Sequence, residues 1–404
     1  MRARLTRRRV VVLVLLLTAM VEATIAVAVF AMNSDGSTSK PVAAPMHPVA
    51  GNFKPDRTQL SDCSTPTCYE QAFGNIAFYR GPKVALRLFD KRYGDFSDPS
   101  CHRVAHVIGS ASLARNHGNV SKTFAEGSAS CFSGYYHGVL ERSLLQVKSY
   151  DPATLGAVVR HLCEGPEVRR TLTLLYQCLH GLGHGLMITT GYDLPRSLKV
   201  CDRLGTSWEE TSCNGGVFME NVANFFGVQS QWIRAEDPVY PCDWVKAEDK
   251  LTCYQLVTSH ILRVNGASWP KAAATCSRVE RQWVSACFNS LGRDSATQAH
   301  YNPERIDAFC SDAEAYGGKG WCILGAAGAM VGNFGNAKSA ASLCRTTDAR
   351  YRGKCYYGIG YASSLYGRTA AIRAASCKSL TTNPAYVRQC VRAGNLRVGS
   401  IGAN

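Results

Sequence analysis

Five of the ten histidines fall in three short segments, each of which carries two ligand-capable side chains four residues apart. The pairs are His102/His106, His137/Glu141 and His180/His184. On a helix, residues four apart share one face, with about 5–6 Å between their Cβ atoms. Two imidazoles at that spacing can bind one metal ion together with a ligand from a neighbouring helix. The pattern therefore predicts metal binding by His102, His106, His137, His180 and His184.

A carboxylate extends the series of ligand-capable residues into the next segment. Counted from the cysteine that opens each segment, the recurring residues are His106 at +5, His137 at +6, His184 at +6 and Glu220 at +7. This recurrence predicts equivalent places on successive helices. Glu141 or Glu220 would then act as a metal ligand or as a general base, and Tyr136 would be a redox-active neighbour. Packing between repeats is the alternative interpretation for Tyr136.

A purely structural interpretation of the histidines competes with the metal site. One pair of histidines four residues apart on a buried helix face commonly belongs to a hydrogen-bonded polar network. Three such faces in succession, together with Glu220, would bury five imidazoles and two carboxylates, which without an ion requires an unusually complete network. Imidazole and carboxylate ligands suit copper, iron or zinc. The chain contains no nucleophile elbow, Walker loop or dinucleotide fingerprint.

The eighteen cysteines reveal a repeat that would position these helices. From Cys163 onward they form pairs 11–15 residues apart, and the first members recur every 33–41 residues. The spacing predicts seven disulfides in this region, and elimination assigns two more near the N-terminus. The predicted bridges are 63–68, 101–131, 163–178, 201–213, 242–253, 276–287, 310–322, 344–355 and 377–390.

A fixed period of this length predicts stacked supersecondary units. Helix A would begin at the second cysteine of a pair, and helix B would end at the next first cysteine. The predicted fold is all-α: disulfide-stapled helical-hairpin repeats in one exported domain, as an α-solenoid or an α/α toroid-like array. The period is similar to that of tetratricopeptide-like repeats, but their residue signature is missing, so the likeness concerns architecture only.

The N-terminal residues predict export. Residues 1–9 contain five arginines and residues 10–32 are mostly apolar, which predicts a cytoplasmic basic segment and a signal-anchor, or alternatively a cleaved signal peptide with secretion. Residues 33–60 predict a flexible linker, 61–396 the helical domain and 397–404 a tail. An even, high cysteine count agrees with an oxidising compartment outside the cytoplasm.

Charge and composition limit the functions. Without residues 1–32 the formal charge falls from +15 to about +11, with no dense basic block and no nucleic-acid module. The sequence therefore predicts an extracytoplasmic metal-dependent enzyme acting on a small-molecule or peptide substrate, with oxidoreductase chemistry favoured over hydrolysis. The alternative is a non-catalytic repeat scaffold that binds a protein or an anionic envelope polymer.

Overall fold

Twenty α-helices account for the regular structure of the described residues, which contain no strand. The computed structural model describes residues 51–394 except 95–99, 146, 148, 150, 224–228, 335–336 and 366–368. All described residues belong to one compact unit that comprises residues 46–404. The all-α prediction is confirmed.

The helices alternate between a long and a short member of each hairpin. In chain order they are α1 (Pro66–Arg80), α2 (Pro82–Tyr93), α3 (Cys101–Arg115), α4 (Val120–Ala125), α5 (Gly134–Leu145), α6 (Pro152–Leu162), α7 (Pro166–Arg169), α8 (Leu172–Thr189), α9 (Leu194–Cys201), α10 (Ser207–Val222), α11 (Ala247–Tyr254), α12 (Thr258–Val264), α13 (Trp269–Cys276), α14 (Val284–Gln298), α15 (Pro303–Ser311), α16 (Lys319–Phe334), α17 (Lys338–Thr346), α18 (Ala349–Leu365), α19 (Ala370–Leu380) and α20 (Pro384–Gly394). We call α1, α3, α5, α8, α10, α14, α16, α18 and α20 the A helices; α11 and α12 together form an A helix that is broken between its halves.

The A helices pack against one another in sequence order and supply most of the buried surface. Contacts join α1 to α3, α3 to α5, α5 to α8 and α8 to α10, and the same chain of contacts joins α14, α16, α18 and α20. In α8 nearly every residue from Leu175 to Thr189 is buried. A helix buried on all sides must be apolar around its whole circumference, with its polar groups paired. The polar residues of these helices therefore need an explanation.

All nine predicted disulfides are present, and the described chain has no free cysteine. Of the seven bridges from Cys163 onward, six join the end of a short helix to the following A helix, as predicted, whereas Cys242 lies in a turn before α11. The Cys101–Cys131 bridge differs, because it joins the first residue of α3 to the segment just before α5. This bridge therefore connects two A helices directly.

The predicted starts of the A helices are wrong by one to two turns in the repeats from α8 onward. The threonine side chain of Thr171 accepts a hydrogen bond from the Leu174 N–H, so α8 begins six residues before Cys178. Thr206 caps α10 in the same way through Glu209. A capping hydroxyl fixes a helix start because it satisfies an otherwise unpaired backbone N–H. The second cysteine consequently lies inside its helix.

Part of the predicted linker lies against the helices. Phe53 is buried, and the guanidinium of Arg142 on α5 donates hydrogen bonds to the carbonyls of Gly51 and Phe53. Within the described ranges no helix is long and apolar enough to cross a membrane. The predicted basic segment 1–9, membrane segment 10–32, linker residues 33–50 and tail 397–404 lie outside the described residues. The anchor stays a prediction.

Candidate metal centre

The five histidines predicted as ligands lie on three consecutive A helices, α3, α5 and α8. All five side chains are buried, with at most 7% of any residue exposed. Glu141 on α5 and Glu220 on α10 are buried beside them, each 1% exposed. The structure thus brings all seven predicted ligand or base residues into one interior cluster.

The first histidine pair has one nitrogen of each ring facing the other. His102 Nδ1 lies 3.0 Å from the Cys131 carbonyl oxygen, which can only accept, so this nitrogen carries the proton. His106 Nδ1 lies 3.2 Å from Glu141 Oε2. The two Nε2 atoms lie 3.1 Å apart. When Glu141 is ionised and accepts from His106 Nδ1, both rings carry their proton on Nδ1 and present Nε2 to a metal ion.

The second pair repeats this arrangement on α8. His184 Nδ1 lies 2.7 Å from Glu220 Oε2, and His184 Nε2 lies 3.3 Å from His180 Nε2. The other carboxylate oxygen, Glu220 Oε1, accepts a hydrogen bond of 2.9 Å from the Tyr192 hydroxyl. A carboxylate behind a histidine fixes the ring orientation and directs the opposite nitrogen toward a metal.

The spacing between the paired nitrogens fits coordination. Two ligand nitrogens bound to zinc at 2.0–2.1 Å in tetrahedral geometry are about 3.3 Å apart. The observed separations are 3.1 Å for His102 and His106 and 3.3 Å for His180 and His184. Both pairs are therefore already at ligand spacing.

His137 on α5 stands between the two pairs. Its ring centroid is 5.4 Å from those of both His102 and His106, and 5.9 Å and 4.1 Å from those of His180 and His184. Within the described part of the chain neither of its ring nitrogens has a hydrogen-bond partner, although the residue is only 2% exposed. It belongs to two sets of three histidines whose ligand atoms lie within 4.8 Å of one another, one with each pair.

Burial favours the neutral, ligand-competent form of four of these imidazoles by lowering their pKa values. It lowers the pKa of His102 and of His180 to about 4. Burial, together with the neighbouring imidazoles, holds the pKa of His137 and of His184 well below the usual value. Burial raises the pKa of Glu141 to about 8 and that of Glu220 to about 7. A buried cation would favour the ionised form of both carboxyl groups.

Close helix contacts reveal a register that differs from the one predicted by counting from the cysteines. In both halves of the array, an A-helix glycine lies against the carbonyl of the preceding A helix, where a Cβ would collide. These pairs are Gly138 on His106, Gly216 on His180, Gly325 on Asn289 and Gly358 on Leu324. His106 and His180 are therefore structurally equivalent, and His106 and His184 are not. Counting residues from Cys101 misaligns His106 with the later helices, because Cys101 does not lie where the cysteines of the other repeats lie.

The register offset explains why His137 can face two pairs. Its backbone place on α5 matches those of His106 and His180, because it directly precedes the contact glycine Gly138, just as Leu324, whose carbonyl meets Gly358, directly precedes the contact glycine Gly325. His102 lies one helical turn before the position shared by His106, His137 and His180, and His184 lies one turn after it. The pair on α3 and the pair on α8 are thus displaced along the helix axes in opposite directions from His137.

Tyr136 lies on a different face of α5 from that of His137. Its ring packs 4.8 Å from that of Phe124 and 5.5 Å from that of Tyr135. These contacts belong to the aromatic packing between α5 and α4. The redox role predicted for Tyr136 stays a prediction.

Two tyrosines near the cluster were missed by sequence reasoning. Tyr192 holds Glu220, and the ring of Tyr176 stacks on His180 with a centroid distance of 5.4 Å. Tyr192 follows α8 in a left-handed backbone conformation, at φ 61°. Tyr176 lies four residues before His180, so the four-residue spacing could have pointed to it, whereas no such spacing joins Tyr192 to a histidine.

No family model, curated protein or solved structure matches this chain.

Proposed function

We propose that this protein is an extracytoplasmic metal-dependent oxidoreductase whose metal centre is built by His102, His106, His137, His180 and His184. The observation that carries the proposal is His137, an imidazole buried between four others with no partner for either nitrogen. Each unsatisfied buried polar atom costs about 1–3 kcal/mol. A metal ion removes that cost for the nitrogen it binds.

The disulfides support the proposed compartment. Nine bridges in one chain persist in an oxidising environment and are rare in a reducing one. A metal centre outside the cytoplasm must retain its ion without a cellular metal buffer, and a stapled scaffold resists the local unfolding that would release it. The signal-anchor prediction for residues 10–32 places the domain on the outer side of a membrane.

The burial of the cluster supports a small substrate. The imidazoles are at most 7% exposed, so a polymer chain has no direct access to the bound metal. A bound redox metal supplies one-electron or two-electron transfer to a small molecule. Glu141 and Glu220 orient His106 and His184 by accepting from Nδ1, and Tyr192 holds Glu220 in place. Hydrolysis remains the alternative chemistry, because a metal-bound water needs only the same ligands.

Elemental analysis of the full-length protein from its native host tests the proposal. Copper or iron at stoichiometric amounts is the expected result. Reduction of that metal by ascorbate, followed optically, tests the redox assignment, and stoichiometric zinc would favour hydrolysis instead. The variant His180→Ala/His184→Ala should lose metal, while the exposed control His161→Ala should retain it. A protein without any transition metal, whose double variant unfolds at the wild-type midpoint, would overturn the proposal.

A second function, binding of an anionic envelope polymer, is favoured by one feature of the C-terminal repeats. A cleft of about 400 Å³ is lined by Arg345, Arg352 and Lys378 together with Ser379 and Thr381. Three cationic side chains with adjacent hydroxyl groups suit phosphate or carboxylate groups. Loss of binding to an anionic cell-wall polymer in Arg345→Gln/Lys378→Gln, measured by co-sedimentation, would support this function.

A further inference from the structure

The two nitrogens of His137 pose a problem that one metal ion does not solve. An imidazole presents Nδ1 and Nε2 at separate edges of its ring, and one ion can bind only one of them. The other nitrogen would stay buried without a partner among the described residues. A second ion can serve that nitrogen, because His137 forms a group of potential ligands with each histidine pair and both pairs are at ligand spacing.

The geometry points to a dinuclear centre in which the imidazole of His137 bridges two metal ions. One ion would be held by His102, His106 and His137, and the other by His137, His180 and His184. The ring proton of His137 leaves to solvent when the second ion binds, so the bridge is an imidazolate. This inference rests on the proposed function and adds the number of ions and their connection.

Charge balance supports the imidazolate form of His137 once two ions are bound. The cluster contains two buried carboxylates, and the ring of His137 becomes a third negative group when it bridges. Two divalent ions would meet these three negative charges and leave about one net positive charge. Burying unpaired charge is costly, so near-neutrality favours this loading over two ions with a neutral His137.

The carboxylates are distributed evenly between the two sites. Glu141 stands behind His106 of the first site, and Glu220 stands behind His184 of the second. Each site therefore has one carboxylate that strengthens the basicity of one ligand. Two ions joined by one ring can together exchange two electrons with one small substrate.

The room around His137 is set by a glycine. A Cβ at Gly181 would lie 3.3 Å from His137 Cδ2 and 3.1 Å from Leu140 Cδ1. Both contacts are tight, so a larger residue would press on the ring. His137 is thereby free to reach both pairs.

Titration of the metal-free, full-length protein with Cu(II) tests the bridge by two readouts. Elemental analysis after desalting should give two copper ions per chain. Electron paramagnetic resonance at low temperature should show far less signal than the copper content, because two Cu(II) ions joined by an imidazolate couple antiferromagnetically. The buried control His260→Gln, whose ring bonds the Arg234 carbonyl elsewhere, should behave as the wild type.

Variants separate the bridge from the rest of the centre. In His137→Gln the coupling should disappear, so that the resonance signal equals the copper content. His102→Ala and His180→Ala should each bind one copper ion with full signal, which keeps the test valid even if His137→Gln fails to fold. Circular dichroism checks the helix content of each variant.

The outcomes distinguish this inference from the proposed function. One copper ion per chain in the wild type, or two ions with full resonance signal, would overturn the bridge and leave the proposed function standing. A wild-type protein that binds no copper, zinc or iron would end both. A coupled signal that survives in His137→Gln would assign the bridge to another group and contradict the inference.

Discussion

Two groups of A helices share the same backbone packing but bury different side chains. The N-terminal group is α3, α5, α8 and α10, and the C-terminal group is α14, α16 and α18. Where α8 has His180 and His184, α14 has Asn289 and Arg293, at the same distances from the second cysteine of the pair. The corresponding residues are Leu324 and Gly328 in α16, and Tyr357 and Tyr361 in α18. The same close helix packing exists without any histidine. The scaffold therefore does not need the cluster.

Without a bound ligand, the buried histidines and carboxylates are expected to destabilise the fold. The C-terminal interior uses Ala326, Ala327 and Met330, all buried, which need no hydrogen bonds. The N-terminal interior instead buries five imidazoles and two carboxylates, and both ring nitrogens of His137 have no hydrogen-bond partner among the described residues. Natural packing leaves few such atoms, so their accumulation on α3, α5, α8 and α10 supports the proposed metal centre.

Removing a disulfide should give the largest difference between the N-terminal and C-terminal A helices. The loop closed by Cys101–Cys131 spans 30 residues and that closed by Cys344–Cys355 spans 11. The chain-entropy relation gives about 4 and about 3 kcal/mol of stabilisation for loops of these lengths. Both Cys→Ala double variants should lose stability in denaturant unfolding. Only the first should also lose metal affinity, because the carbonyl of Cys131 accepts from His102. Equal metal affinity in both variants would contradict this difference.

Metal removal should affect one region only. At a ligand concentration 100-fold above its dissociation constant, binding stabilises the folded state by about 3 kcal/mol. Treatment with a chelator should therefore speed hydrogen exchange in α3, α5, α8 and α10 and leave α14, α16 and α18 unchanged. Mass-spectrometric exchange with peptide resolution measures both regions in one sample. A uniform change along the chain would show that the ion does not bind at the histidines.

Substituting a close-contact glycine should destabilise both regions alike. A Cβ at Gly183 would collide with the Cys213 carbonyl, and one at Gly292 would collide with the Cys322 carbonyl. Each Gly→Ala change should cost about 2 kcal/mol in thermal or denaturant unfolding, because the helices must separate.

The matched control for these variants is Gly328→Ala. Its Cβ would meet only the Ala362 Cβ, at 3.8 Å, so it should be neutral or stabilising by up to about 1 kcal/mol from helix propensity. Destabilisation by this control as large as that of Gly183→Ala would show that the register contacts are not the cause.

The smallest expected effect is that of Tyr192→Phe. Loss of the hydroxyl removes one hydrogen bond to Glu220 and leaves all five imidazoles in place. Metal affinity should fall by about threefold to tenfold, consistent with a hydrogen bond of about 1 kcal/mol. Competition with a colorimetric chelator measures the change, and Tyr301→Phe in α14's following turn is the control. An unchanged affinity would place Tyr192 outside the metal centre.

The sequence predicts more of the connectivity than of the geometry. The regular intervals from Cys163 onward predict seven disulfides because a repeated hairpin brings the same two positions together each time. The start of α8 was not predictable from the cysteines, because the cap is made by Thr171. The position of His106 along its helix, relative to the histidines of α8, was also predicted wrongly. The reason is that Cys101 does not occupy the usual place of a cysteine in the repeat.

The sequence alone determined the helical class, the disulfide pairing and the identity of the five histidines, because periodic spacing and the four-residue pairs are local properties of the chain. The tertiary structure decided that His137 stands between two pairs, that Glu141 and Glu220 lie behind His106 and His184, and that Tyr192 supports Glu220. These relations depend on the register between neighbouring helices, which is fixed by glycine-to-carbonyl contacts. Such contacts join residues about 30 positions apart, and no spacing along the chain records them.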